Sequence, residues 1–249
     1  MVTPLFCDAT IPKPRGANTR RSEINRIIRD AAEFFDRRGF MLPPFAGWSP
    51  ADWERRLDAS SQIVELGMGW DVTDFGSGRY RERGLLLFTL RNGTAGELAQ
   101  GRGKLYAEKA MIVDPGQVTP LHFHWTKTED IINRGGGNLA VQVYSSTPDG
   151  ERGSDSVTVE IDGRWEVVDP GSTLLLTPGE SITLRPRCYH SFWGERERVL
   201  VGEVSLVNDD QSDNRFFEPV GRFPSIDEDE APFRLLVGDY EGLSRQGKS

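Results

Sequence analysis

Three histidines occur in the chain, and two of them stand one residue apart in the stretch PLHFHWTKTED, Pro120 to Asp130. In an extended strand, residues two apart point to the same face, so His122 and His124 aim two imidazoles together while Phe123 enters the opposite layer. Imidazole is the commonest protein ligand for a transition metal, and Glu129, just downstream, supplies a hard oxygen donor to the same ion. The third histidine, His190, lies in RPRCYHSFW, a strand-like run that could pair beside the first. Together the four predict a mononuclear divalent-metal site. Such a ligand set leaves coordination positions open and does not choose among Mn, Fe, Zn, Co and Ni.

The neighbours of these residues narrow the chemistry. Lys127, between His124 and Glu129, is placed to hydrogen-bond a substrate oxygen or hand over a proton. In KLYAEKAMIV, Leu105, Ala107, Lys109, Met111 and Val113 alternate onto one face, so a single lysine shares a layer with apolar side chains. A cation there is costly unless the interior needs it. Glu203 stands out in the same way in VLVGEVSLV, on the face of Val199, Val201 and Ser205. Beyond it, NDDQSDNRFFEP concentrates Asp210, Arg215 and Glu218 in a segment whose position the pattern does not give.

A metal with inward lysines and carboxylates fits sugar chemistry better than oxygen activation. A sugar presents adjacent hydroxyl and carbonyl oxygens that chelate one ion, and the polarised carbonyl acidifies the neighbouring C–H. Aldose–ketose isomerisation then needs one base to move a proton between C1 and C2, with charge on O1 and O2 balanced by an acid or the metal. Two rivals stay open, a metal-dependent dioxygenase and a non-catalytic sugar-binding protein.

The elements that must carry these side chains are mostly short β-prone runs. From Gly84 onward, LLLFTL, KLYAEKAMIV, NLAVQVYSS, SVTVEI, RWEVV, STLLLT, SITLRP and VLVGEVSLV are separated by turn residues, including Arg91-Asn92-Gly93, Asp149-Gly150 and the hairpin dipeptide Asp162-Gly163. Strands this numerous, without helical patterns between them, predict an antiparallel sandwich or closed barrel. Upstream, SEINRIIRDAAEFFDRRG carries apolar residues at helical spacing, with Ser22 placed to cap its start and Gly39 its end. SPADWERRL predicts a second helix, with Ser49 as cap, Pro50 in the first turn and Asp52 completing the box. The expected organisation is an N-terminal helical extension over 1–83 and a β-barrel over 84–249, forming one structural unit.

Composition sets limits on partners. Apolar residues make up 37% and charged residues 27% of the 249, and no apolar run approaches the roughly 20 residues needed to span a bilayer. The formal charge of −8, with its densest acidic cluster at SIDEDEAP, argues against nucleic acid as partner. Cys7 and Cys188 are far apart and form no metal or redox motif, so both are expected as thiols. The opening MVTPLFCDATIPKPRG lacks a signal-peptide pattern, which predicts a cytoplasmic protein without membrane association.

The string from Gly116 through His122, His124 and Glu129 to Gly136 reads G-x5-H-x-H-x4-E-x6-G and resembles the first motif of the cupin superfamily. GSTLLLTPGESITLRPRCYHSFWG resembles the second, with a longer interval between Gly179 and His190 and no Asn after that histidine. The implied fold is mainly β, a cupin (jelly-roll) barrel with the N-terminal helices packed outside. Within that superfamily KTEDIINRGGGNLAVQVY, YHSFWGE and VGEVSLVNDDQSDNRFFEP are similar to the D-lyxose isomerase family of sugar isomerases. The resemblance implies interconversion of D-lyxose with D-xylulose and of D-mannose with D-fructose, manganese as the usual ion, and a homodimer. It puts the metal ligands on His122, His124, Glu129 and His190 and the motif lysines on Lys109 and Lys127. It also brings Arg215 and Glu218 forward beside Glu203 as catalytic candidates and leaves the choice of base open.

Overall fold

The computed structural model describes residues 19–209, 212–221 and 226–246. In chain order the elements are β1 (Thr19–Arg20), α1 (Arg21–Arg37), α2 (Pro50–Arg56), α3 (Ser61–Glu65), β2 (Gly69–Thr73), β3 (Leu85–Arg91), α4 (Ala95–Ala99), β4 (Tyr106–Val113), β5 (His122–His124) and β6 (Glu129–Tyr144). Then follow β7 (Val157–Ile161), β8 (Arg164–Val168), β9 (Thr173–Leu176), β10 (Ser181–Leu184), β11 (Tyr189–Leu206), β12 (Asn214–Phe216), β13 (Ile226–Asp227) and α5 (Tyr240–Gln246). No helix among the described residues is long and apolar enough to cross a membrane. The expected Cys7 thiol and Asp210 lie outside the described residues.

Two long strands organise the fold. The first half of β6 and the second half of β11 lie in one layer, ordered β2-β3-β4-β11-β6-β10-β7-β8. Their other halves pair again in a second layer, where β9 flanks β6, and β5 and then β12 flank β11. Both strands cross between layers at a bend, marked by register breaks at Glu195/Val199 and Leu200/Val201. Gly136 makes the bend possible: its φ is +109°, and a Cβ there would lie 2.1 Å from the carbonyl oxygen of Arg198. Asn133 fastens the crossing by donating to the carbonyls of Gly137 and Leu176 and accepting from the amide of Gly135.

Between the layers lies one apolar core, with Met111, Val113, Ile131, Val141, Val143, Leu176, Ile182, Phe192 and Val201 in contact. The outer face of β2, β3 and β4 is apolar too: Leu86, Phe88, Leu90, Ala110 and Ile112 alternate outward and meet Ile24, Ile28, Ala31 and Phe35 of α1. The helices therefore pack outside the barrel, as expected.

Local signals behaved unevenly. Ser49, Pro50 and Asp52 form the predicted capping box of α2, and Gly39 follows α1 with φ +67°. Asp162-Gly163 makes the two-residue hairpin between β7 and β8, both with positive φ. Ser22, in contrast, is not the cap of α1. The helix begins at Arg21, and the backbone amide and hydroxyl of Ser22 are instead taken by Asp229, from the acidic cluster 207 residues away. Arg91-Asn92-Gly93, expected as a turn, is none: Asn92 links Leu66 and Asn208 before α4. The sequence reading also missed β2, which lies upstream of Gly84 and forms an edge of the large sheet.

Candidate metal and sugar site

β5 carries His122 and His124, and β11 places His190 directly opposite His122. Glu129 opens β6 in the other layer, and the bend in the long strands brings the two layers' side chains together. One ring nitrogen from each histidine falls within 4.8 Å of the others. Phe123 points the other way, edge-on to Trp125 and Tyr189, as strand alternation requires.

The ring protons can be assigned by chemistry. His122 Nδ1 lies 2.8 Å from the carbonyl oxygen of Pro120, and His190 Nδ1 lies 3.0 Å from that of Cys188. A carbonyl only accepts, so each Nδ1 carries a proton, and in the neutral ring each Nε2 presents a lone pair. His190 Nε2 is 3.0 Å from Glu129 Oε1, yet both atoms are buried without hydrogen-bonding geometry to any partner. Two acceptors facing each other in the buried interior call for a cation beside them. Burial, then the neighbouring His190 and His124, pushes His122 well below its ordinary pKa, and burial lowers His124 as well. Neutral imidazoles are the ligand form. The donor set therefore fits a divalent ion held by His122, His124, His190 and Glu129.

A chain of alternating charges runs on from Glu129. Lys127 Nζ lies 2.8 Å from Glu129 Oε2 and 2.9 Å from Glu203 Oε1, and Lys109 Nζ lies 3.2 Å from Glu203 Oε1. Lys109 also donates to Asn208 Oδ1 at 2.6 Å, and Ser205 Oγ to Glu203 at 3.1 Å. Burial alone would depress the Lys127 ammonium, but the charges of Glu129 and Glu203 outweigh it and hold its pKa above the ordinary value. Burial pushes both carboxyls up. His124 and Lys127 more than reverse this at Glu129, and Lys109 and Lys127 do so at Glu203, so both stay below the usual range.

Lys109, Lys127 and Glu203, all singled out by their apolar surroundings or their spacing, line the same cavity of about 80 Å3 as the histidines. Arg215 and Glu218 do not. On β12 the side chains of Asn214 and Phe216 face the cavity, so Arg215 faces away and pairs with Glu151, while Glu218 beyond the strand pairs with Arg83. Asp130 is structural, accepting from Thr183 Oγ1 at 2.6 Å.

Several contributors were not visible in the sequence. Asp213, buried in a polar loop, accepts from the amides of Thr126 and Lys127 and so shapes the turn that carries the lysine. Asp71, Thr73, Phe75 and Phe216 complete the cavity wall. The alternation in GWDVTDF is the one signal that could have placed Asp71 and Thr73 on a shared strand face. A larger cavity of about 390 Å3 lies where α1 meets the sheet, around the Arg198, Asp30 and Asp114 ion pairs, away from the histidine cluster.

A two-layered antiparallel barrel with its polar cluster facing inward is the cupin architecture. The L-ribose isomerase of Acinetobacter sp. DL28, solved with L-ribose, matches with a TM-score of 0.58 at 17% identity, covering 86% of this chain and 100% of that one. The L-ribose isomerase of Cellulomonas parahominis with L-ribose gives a TM-score of 0.57 at 19% identity over 84% and 99%. At these identities the likeness is one of fold. Sequence relatives are more specific: residues 19–240 match the family model described as D-lyxose isomerase. The D-lyxose/D-mannose isomerase of Serratia proteamaculans is 49% identical over 223 residues, 88% of this chain and 96% of its own length. The D-lyxose/D-mannose isomerase of Escherichia coli O157:H7 is 48% identical over 225 residues, 89% and 98% of the two chains. The chain belongs to the D-lyxose isomerase family.

Proposed function

We propose that the protein is a metal-dependent aldose–ketose isomerase acting on D-lyxose and D-mannose, with D-xylulose and D-fructose as products. The observation that carries this reading is the meeting of two acceptors, His190 Nε2 and Glu129 Oε1, beside an ionised Glu203 held between two lysines. The family names and the sugar isomerases of the same fold support it.

His122, His124, His190 and Glu129 would hold the ion, which when bound supplies Lewis-acid polarisation of the sugar carbonyl. Glu203 is the base. As a buried carboxylate it takes the proton from C2, beside the carbonyl, and returns it to C1 through a cis-enediol, while the hydroxyl proton of O2 passes to O1, so that no proton is gained or lost overall. Lys127 and Lys109 keep Glu203 ionised and donate hydrogen bonds to oxygens on which negative charge develops. The walls of Phe75, Phe192 and Phe216 exclude water from the reacting centre. A dioxygenase has less need of paired lysines and carboxylates at its metal.

Manganese as the ion, a homodimer as the assembly and the cytoplasm as the location follow the family resemblance. The deciding assay strips the protein of metal, reloads it with Mn2+, Co2+, Fe2+, Ni2+ or Zn2+, and follows ketose formation from D-lyxose, D-mannose, D-xylose and D-ribose against a chelator control. Chelator-sensitive ketose from lyxose or mannose is the expected result. Stoichiometric metal with no ketose from any sugar would overturn the isomerase reading.

A further inference from the structure

The cavity around the histidines has a far wall, made by β2 and β3. Asp71 and Leu87 are direct cross-strand partners there and project to the barrel interior. The same two residues line a second cavity, of about 380 Å3, whose walls include Glu65, Asn92, Thr94 and Asn208. They are the residues the two linings share, so they form a partition between the space at the metal site and a space behind it.

The register across the sheet shows what is unusual at this partition. Leu87 pairs with Met111 on β4, and Met111 with Val201 on β11, so Asp71 ends an interior row that is apolar across β3, β4 and β11. The adjacent row runs Gly69, Thr89, Lys109 and Glu203. Asp71 is only 6% exposed, a buried carboxylate on the wall that the two cavities share. It stands three strands from Glu203, roughly 14 Å along the sheet at about 4.8 Å per strand, and the curvature of the barrel turns both side chains into one space.

We propose that Asp71 and Leu87 form the distal end of the sugar pocket and set its preference between five-carbon and six-carbon substrates. The proposal rests on the isomerase reading above. The end of an open-chain sugar remote from the reacting carbons carries hydroxyl donors, and Asp71 offers a carboxylate to accept them. Leu87 limits length, because the extra CH2OH of a hexose points past the partition toward the second cavity. A hydrogen bond to a charged acceptor discriminates strongly, whereas a single methylene in an apolar slot discriminates less.

The test uses the full-length, metal-loaded protein and the variants Asp71→Asn, Leu87→Ala and Leu87→Val, each checked for melting temperature and metal content. Steady-state kinetics are measured on D-lyxose and D-mannose. Calorimetric binding is measured with the non-isomerisable polyols D-arabinitol and D-mannitol. For Asp71→Asn we expect KM for both sugars to rise about ten- to a hundredfold with kcat much less changed, and polyol affinity to fall by a similar factor. For Leu87→Ala we expect the kcat/KM ratio of mannose to lyxose to rise about tenfold, with mannitol binding moving in the same direction. Leu87→Val, the smaller change, reports the same trend should the alanine variant unfold. Folded, metal-loaded variants with KM, polyol affinity and sugar ratio all within about twofold of the parent would overturn the proposal, as would an Asp71→Asn variant losing kcat alone. A parent protein that turns over neither sugar refutes the isomerase reading instead; polyol binding, weakened or not by Asp71→Asn, still decides this inference.

Discussion

Glu203 lies between two ammonium groups, and that placement assigns roles to its neighbours. A carboxylate held ionised by Lys109 and Lys127 is in the form a base requires, while Lys127, with its pKa raised by two carboxylates, stays protonated. Lys127 therefore acts as a charge and a hydrogen-bond donor in the proposed reaction. Replacing His122 or His190 with Ala should abolish metal binding and turnover together, measured by metal analysis and ketose formation. Glu203→Gln should keep the metal and lower kcat by about 10²- to 10⁴-fold, the range of a general base. Lys127→Ala should also keep the metal and cost about 10²-fold in turnover. A Lys127→Ala enzyme of near-normal activity would remove the lysine from the mechanism.

At the scale of elements, the bend in β6 and β11 does the positioning. Glu129 belongs to the layer of β4 and β10, His190 to the layer of β5 and β9, and they meet at 3.0 Å because β6 crosses over near 136–138 and β11 near 195–199. A side chain at Gly136 collides with backbone and sits at a strained φ. Gly136→Ala should cost about 2 to 3 kcal/mol, lowering the melting temperature by roughly 5 to 10 °C, and should weaken metal affinity by shifting the layers. Unchanged affinity in a destabilised variant would separate the bend from the site. The strands themselves were legible where alternation and turn residues coincide, as at β7, β8 and their Asp162-Gly163 hairpin. The length of β6 was not: its first half reads EDIINRGG, polar and glycine-rich, and only pairing with β10 and β11 makes it a strand.

The molecule as a whole is closed by its C-terminal segment. β13 pairs in parallel with β1, and the fully buried Arg21 is gripped by Glu228 at 2.6 Å and Asp239 at 2.8 Å. Hydrogen bonding from Arg21 holds the Glu228 carboxyl below its usual range, against the effect of burial. A depressed folded pKa stabilises fully above the unfolded value of about 4.3, and that contribution is lost as pH falls through the folded value. Acid-unfolding curves of Glu228→Gln should thus show a shallower loss of stability below about pH 4.3 than the parent. Arg21→Ala should cost about 2 kcal/mol at neutral pH, a limited sum because Glu228 is already half in water. Metal acts on the same global equilibrium. At a hundredfold excess over Kd, a divalent ion should add about 2.7 kcal/mol, a rise of roughly 5 to 11 °C that a chelator reverses and His122→Ala abolishes.

The sequence by itself determined that His122, His124, His190, Glu129, Lys109, Lys127 and Glu203 turn toward one interior space, and it determined the β-barrel class. Most of these rest on periods of two and on short spacings, which the backbone converts into shared faces, whereas His190, far along the chain, was placed beside them by the resemblance of its stretch to the second cupin motif. Only the tertiary structure decided that Arg215 and Glu218 turn away from the cavity, that β2 supplies the far wall, and that Asp229 and Glu228 seize the start of α1. Each of these depends on contacts between segments up to 207 residues apart. Such contacts are chosen by the closing of the whole core and leave no local pattern to read.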